Sequence, residues 1–202
     1  MMLNLFALPV YTGSNDQFLP TINQWFADAE LFPQKTTVPF MFDTTLRRYN
    51  PGKSITASDL LSRPDSQEFQ SFIKDSVKQF LEQGDYATEC DISIPNMWMN
   101  SMTSNAVHRK HSHFGYTLSG TYYVEVPQGS GILSLINPVQ DLVNQAIIMN
   151  KTMNQNNVYE YQIPVEPGMI VLFPSFIKHY VPSLKFQGTR KSIAFDITIS
   201  YK

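Results

Sequence analysis

The segment HRKHSHFG packs three of the chain's four histidines, His108, His111 and His113, into six positions. Side chains alternate along an extended backbone, so His111 and His113 project from one face and their imidazoles can share one ion. Neutral imidazole suits iron, zinc, copper or nickel. Cys90 is the only cysteine, which excludes an intrachain disulfide and any cysteine-based zinc cluster. On its own, H-x-H is equally compatible with a solvated loop. The fourth histidine, His179, adds weight. It closes VEPGMIVLFPSFIKH, a Pro-Gly turn, an apolar strand and then the imidazole. A ligand arriving from far along the chain, just past an apolar strand, is how the mouth of a β-barrel completes a metal site. His108 stands three residues before His111, off its face, and reads as a surface residue. Eleven residues beyond His179 comes Arg190, followed on the same strand face by Ser192. A guanidinium fork matches a carboxylate through two parallel hydrogen bonds, and a neighbouring hydroxyl can join them.

The elements that must position these groups follow from periodicity. From Phe18 to Phe32, Phe18, Ile22, Trp25, Phe26 and Ala29 recur at helical spacing. In PDSQEFQSFIKDSVKQFLEQG, Phe69, Phe72, Ile73, Val77, Phe80 and Leu81 form one stripe. Asp65 occupies the position of an N-cap with Glu68 completing a capping box, and Gly84 ends the helix. After Gly84 the rhythm shortens to strands: Asp91–Met102, Tyr116–Val126, Gly131–Ile136, Val158–Val165, Met169–Phe173 and Arg190–Tyr201. The apolar opening MMLNLFALPVYTGS reads as a first strand. TTVPFMFDTTLRRYNPGKS reads as an extended piece ending in a turn, and Asn144–Asn157 as an insertion loop with one helical turn. The expected organisation is a single domain over 1–202, with residues 1–84 as helical support and 85–202 as a β-core.

Parity sorts the two longest polar-bearing strands. Between Tyr116 and Val126 the odd positions are Thr117, Ser119, Thr121, Tyr123 and Glu125; the even ones are mostly apolar. In the last strand Ile193, Phe195 and Ile197 share one face, and Arg190, Ser192, Ala194 and Asp196 the other. Such polar faces either meet water, as antiparallel sheets allow, or line the inside of a small barrel around a polar ligand.

Taken in order, H-x-H, LSGTYYV, GxG, NP, EPGxxxxFPSxxxH and RKSIAFDI resemble the Fe(II)/2-oxoglutarate-dependent oxygenases of the small prolyl-hydroxylase-like group with bacterial and marine-phage members. LNLFALPVY and MWMNS add to the resemblance, which spans the chain in outline and is dense from Pro95 to Ile199. It implies a mainly β fold, a double-stranded β-helix (jelly roll) with flanking N-terminal helices. It also implies Fe(II) as metal and 2-oxoglutarate as cosubstrate. His111 and His179 are then iron ligands. Arg190, with Ser192 and Tyr123 beside it, binds the far carboxylate of 2-oxoglutarate, and Asn100 and Thr121 belong to the pocket wall. His113 stands where the wider superfamily has Asp or Glu. Three arrangements are open: His113 ligates and gives a three-histidine site; Glu125 or Asp196 supplies the missing carboxylate; or His113 sits behind the metal shell. The first is preferred, because the H-x-H geometry is already suitable. Phe114, Tyr116 and Phe176 are expected to exclude water from the pocket.

The implied reaction is a dioxygenation that takes O2, the keto acid and an unidentified substrate, a peptidyl or free amino acid being suggested by analogy. Two other readings stand beside it: a cupin-like three-histidine metalloenzyme that uses no 2-oxoglutarate, and a non-enzymatic jelly-roll module. The net charge of −2 and the lack of a long basic run argue against nucleic acid and anionic membranes as partners. No stretch approaches the roughly 18 apolar residues of a membrane span. The lone cysteine suggests a reducing, cytoplasmic compartment, that of a host if the gene is phage-borne.

Overall fold

The computed structural model describes residues 8–31, 54–58, 60–139 and 158–201. Its strands are β1 (Tyr11–Ser14), β2 (Ser54–Ser58), β3 (Cys90–Thr103), β4 (His108–His111), β5 (Leu118–Glu125), β6 (Ile132–Ile136), β7 (Glu160–Pro164), β8 (Met169–Pro174), β9 (His179–Val181) and β10 (Thr189–Tyr201). They form a major sheet in the order β1-β8-β5-β10-β3-β2 and a minor sheet in the order β4-β9-β6-β7. Every pairing is antiparallel. The strands expected from alternation are all present within a few residues. Three short ones, β2, β4 and β9, carry too few residues to show a period. Residues 1–7, most of TTVPFMFDTTLRRYNPGKS and the Asn144–Asn157 loop lie outside the described residues.

Two helices, α1 (Leu19–Leu31) and α2 (Gln67–Gln83), follow the helical stripes. The stripe of α2 is buried as expected: Phe69, Ile73, Val77, Phe80 and Leu81 join Ile22, Trp25 and Phe26 of α1 in one cluster. Each such side chain contributes about 1.5–3 kcal/mol when fully withdrawn from water. The N-terminus of α2 differs from the capping-box expectation. A 3-10 turn, Pro64–Ser66, leads into the helix, and Ser66 holds the cap position without a side-chain bond to it. Asp65 therefore sits inside that turn. Its carboxylate accepts from Trp25 Nε1 at 2.8 Å and Arg63 Nε at 3.0 Å, tying α2 to α1. Gly84 closes the helix as expected, its N–H donating to Phe80 O at 3.1 Å. Among the described residues, no helix is long and apolar enough to cross a membrane.

The helices cover one face of the major sheet. Leu118, Tyr122 and Val124 of β5, and Ile193, Phe195 and Ile197 of β10, pack into the helical cluster. The opposite faces of the same strands turn toward the minor sheet. Ser119, Tyr123, Arg190, Ser192 and Asp196 are all buried there. Of the two readings of the polar parity, the structure selects the interior one. The space between the sheets is part apolar, with Tyr123, Leu133, Leu135, Ile163, Val171 and Phe173 in a second cluster.

Candidate metal centre and organic-acid pocket

At one end of the inter-sheet space, β4 and β9 lie side by side with His111 paired to His179. His113 follows β4 and is held by its backbone, N–H to Ser175 O at 2.9 Å. The three rings converge, with centroids 4.3 Å apart for His111 and His179, 5.1 Å for His111 and His113, and 5.2 Å for His113 and His179. One ligand atom from each lies within 4.8 Å of the others, so small side-chain rotations bring all three onto one ion. Their tautomers follow from their partners. His111 Nδ1 lies 2.6 Å from Arg109 O, His179 Nδ1 3.1 Å from Ile177 O, and His113 Nδ1 2.6 Å from Asp196 Oδ1. A carbonyl and a carboxylate oxygen can only accept, so each Nδ1 carries the proton and each Nε2 keeps its lone pair for a cation. Burial, and then the neighbouring His111, lowers His179 from 6.5 to about 3. His111 is lowered too, chiefly by burial.

The structure places the two acids that stood as alternatives to His113. Asp196 is buried, and its carboxylate takes His113 Nδ1–H, Asn96 Nδ2–H at 3.1 Å and Ser119 Oγ–H at 3.3 Å. It stands behind His113 and does not replace it. Glu125 is also corrected as a candidate. The register between β10 and β5 shifts between Lys191 and Ser192, where Lys191 pairs with Glu125 and Ser192 with Tyr123. The extra residue, Val124, turns Glu125 away from the interior, where it bonds Lys191 at 3.1 Å in an exposed pair. His113, stacked on Trp98 at 5.8 Å, is the third member of the cluster.

His108 is not the surface residue its spacing suggested. On β4, His108 pairs with Val181 and His111 with His179. Four residues on β4 therefore span three on β9, and this bulge restores His108 to the face of His111. It is half-buried there, and burial, then Arg190 and His111, lowers it to about 4. In the unfolded chain the ring titrates at 6.5. Between 6.5 and about 4 the unfolded chain binds a proton that the folded metal-free protein refuses, so stability is full above that window and is lost through it. The contribution is up to about 3 kcal/mol, with His179 acting in the same direction. The Tm of the metal-free protein is expected to fall from pH 7 to pH 4, and His108→Asn to flatten part of the decline. A variant curve parallel to wild type throughout would contradict this placement.

Deeper between the sheets, Arg190 is 3% exposed and has no carboxylate partner among the described residues. Its Nη2 donates to Ile132 O at 3.4 Å, its Nη1 meets Met102 Sδ at 3.7 Å, and its Nε is buried without a partner. The guanidinium lies over the Tyr123 ring at 5.1 Å. Tyr123 OH and Ser134 Oγ are also buried and make no well-aligned hydrogen bond among the described residues, the Tyr123 hydroxyl lying near Thr121 and the guanidinium. Burial lowers Arg190 from its ordinary value and raises the Tyr123 hydroxyl, against the pull of the guanidinium. Ser192, buried beside Arg190, pairs with Tyr123 in register and with Asn100 on its other side. Thr121 faces Ala194 one step along. A buried cation ringed by unsatisfied donors is costly unless an anion enters. These donors therefore fit an organic acid carboxylate. Phe114 and Phe176 do not shield the pocket as expected. They are 84% and 53% exposed and stand at its rim, while Tyr116 is half-buried and accepts from Asn96 at 2.7 Å. Sequence reasoning missed the roles of Asp196, Asn96 and Trp98 beside His113. Asp196 was visible as a polar residue on the correct face and as a candidate ligand, not as the hydrogen-bond partner of His113.

Comparison with known proteins agrees with this geometry. A family model described as "Putative 2OG-Fe(II) oxygenase" matches residues 96–196, half of the chain. A search of curated proteins finds none that matches. Among solved structures, a Pseudomonas putida prolyl-4-hydroxylase is similar at a TM-score of 0.63 and 13% identity, over 96% of this chain and 95% of that one. A viral collagen prolyl hydroxylase from Paramecium Bursaria Chlorella virus-1, in complex with 2OG, gives 0.57 at 10% identity over 96% of both chains. A Trichoplax adhaerens prolyl hydroxylase, in complex with a peptide fragment of the hypoxia inducible factor oxygen degradation domain, gives 0.59 at 12% identity, over 96% and 86%. At such identities these structures establish the jelly-roll fold, and the family match takes in the first part of β10 as far as Asp196, the second half of β3 and all four histidines. The chain belongs to the 2OG-Fe(II) oxygenase family, whose members use Fe(II) and 2-oxoglutarate.

Proposed function

We propose that His111, His113 and His179 hold the iron of this oxygenase and that Arg190, with Tyr123 and Ser192, anchors the far carboxylate of 2-oxoglutarate. The observation that carries this reading is a buried guanidinium that has an orphaned Nε and no carboxylate partner among the described residues, in the same inter-sheet space as three clustered imidazoles. When bound, iron and the keto acid together supply oxygen activation and the oxidising equivalents for inserting oxygen into a C–H bond. The chain's part is to hold and orient. Three neutral imidazoles would hold the metal, with positions remaining for the keto acid and oxygen. Tyr123 OH and Arg190 Nε have unused bonds to give an incoming carboxylate, and the apolar cluster of Leu133, Leu135, Val171 and Phe173 keeps water from competing. Asn100 and Thr121 form the adjoining wall.

The substrate in this reading is a peptidyl or free amino-acid side chain. Its support is the aromatic rim of Phe114 and Phe176 beside His113 and Ser175, and the peptide held by the Trichoplax relative. Incubating the protein with Fe(II) and 2-oxoglutarate is expected to release succinate. Tyr123→Phe should raise the KM for 2-oxoglutarate roughly threefold to tenfold, the cost of one hydrogen bond to a charged group, with little change in iron binding. The three-histidine set also favours a second reading, a metalloenzyme in which Arg190 reads a substrate carboxylate directly. Oxygen uptake that needs iron but no keto acid would select it.

A further inference from the structure

A metal held by two histidines and a carboxylate faces one negative charge; a metal held by three neutral imidazoles faces none. The structure places that charge one residue further back. Asp196 is 3% exposed, forms no ion pair with Lys or Arg among the described residues, and makes its shortest contact, 2.6 Å, to His113 Nδ1. The carboxylate is oriented from its other sides by Asn96 Nδ2 and by a relay in which Ser175 Oγ–H donates to Ser119 at 2.9 Å and Ser119 donates to Asp196 at 3.3 Å. A buried anion with three donors and no cation is expensive to keep. A cation on the far side of the imidazole would offset it through the ring. Neither of the other two histidines has such a partner; both donate to backbone carbonyls.

We propose that Asp196 is a positioning residue that supplies the charge of the missing carboxylate ligand through His113, making the three-histidine set electrostatically equivalent to a two-histidine, one-carboxylate site. The inference rests on the reading of the histidines as iron ligands. A carboxylate hydrogen-bonded to the distal nitrogen raises the basicity of a ligating imidazole and fixes its ring, and such partners typically contribute 10–100-fold in metal affinity. The charge also favours the higher oxidation state of a bound metal. Asp196 thus both tightens the site and lowers the potential of what it holds.

The test is a double-mutant cycle read by anaerobic Fe(II) titration calorimetry and by the Fe(III)/Fe(II) potential of the loaded protein. Asp196→Asn keeps the shape and an acceptor oxygen but removes the charge. It is expected to weaken Fe(II) binding by about 10–100-fold and move the potential upward. His113→Asp restores a direct carboxylate ligand. In that background the ring that links Asp196 to the metal is gone and a carboxylate ligates directly, so Asp196→Asn is expected to weaken Fe(II) binding by no more than about threefold. The effect of one substitution thus shrinks with the identity of residue 113. A purely structural Asp196 would weaken binding equally in both backgrounds and leave the potential unmoved, and that result overturns the proposal. Should Asp196→Asn not fold, comparison of His113→Asp with His113→Asp/Asp196→Asn still decides, since a loss of about tenfold or more there would also overturn it. Wild-type protein that takes up no Fe(II) would refute the reading of the histidines themselves, whereas normal wild-type uptake with equal losses in both backgrounds would refute only the role of Asp196.

Discussion

His179→Ala is expected to abolish specific iron binding, raising the Kd for Fe(II) by more than about a hundredfold, beyond what loss of a group hydrogen-bonded to a ligand causes. His179 is the buried member of the cluster, 9% exposed. It is fixed on two sides, by Ile177 O and by the Phe173 ring at 4.8 Å. A ligand so held loses little entropy on binding a metal, so its loss cannot be recovered by rearrangement of exposed groups. At a metal concentration near 100 times the wild-type Kd, binding stabilises the folded protein by about 2.7 kcal/mol. Thermal unfolding with and without Fe(II) should show that gain in wild type and none in the variant. A His179→Ala protein with an undiminished metal-induced shift would remove the imidazole cluster from the mechanism.

The second large effect belongs to Arg190, and its sign depends on what is bound. With 2-oxoglutarate present, Arg190→Met deletes one half of a buried charge pair, a loss of about 2–5 kcal/mol, or roughly thirtyfold or more in Kd. Without it, the same substitution removes a buried cation that has no carboxylate partner and an orphaned Nε. Methionine fills much of the same volume, so the unliganded protein should be as stable as wild type or more so. Arg190→Lys should recover little, because a point charge on a flexible stem does not reproduce the planar fork. Fe(II) affinity should hardly change, since the guanidinium touches none of the three metal-facing imidazoles. Titration with 2-oxoglutarate, together with Tm of the free variant, separates the outcomes. A variant that loses stability when free and binds the keto acid normally would make Arg190 a structural tie between β10 and Ile132 of β6.

Much of this was legible before any coordinates. Helical spacing located α1 and α2, because a buried stripe must repeat with the helix turn. Alternation located β3, β5, β6, β7, β8 and β10, and parity put Ser119, Thr121, Tyr123, Arg190, Ser192 and Asp196 on common faces. H-x-H, His179 and Arg190 carried their chemistry in their residue types. What parity left undecided was whether those faces met water or each other, since a strand carries the same alternation in either case.

Two of the errors share one cause. His108 and Glu125 were both placed by counting residues, and each lies across a bulge where one inserted residue reverses the count. A bulge depends on how two strands align, so neither strand's own sequence reveals it. The Asp65 carboxylate was assigned to its local helix, but an indole 40 positions away in sequence took it. The pairing of His113 with Asp196 spans 83 positions and exists only because β10 runs beneath the loop that follows β4. Sequence by itself determined which residue types were available, on which faces, and at what spacing, because those are local consequences of backbone period. Tertiary structure alone decided which of them meet, because register and sheet packing join segments whose separation along the chain carries no record of their contact.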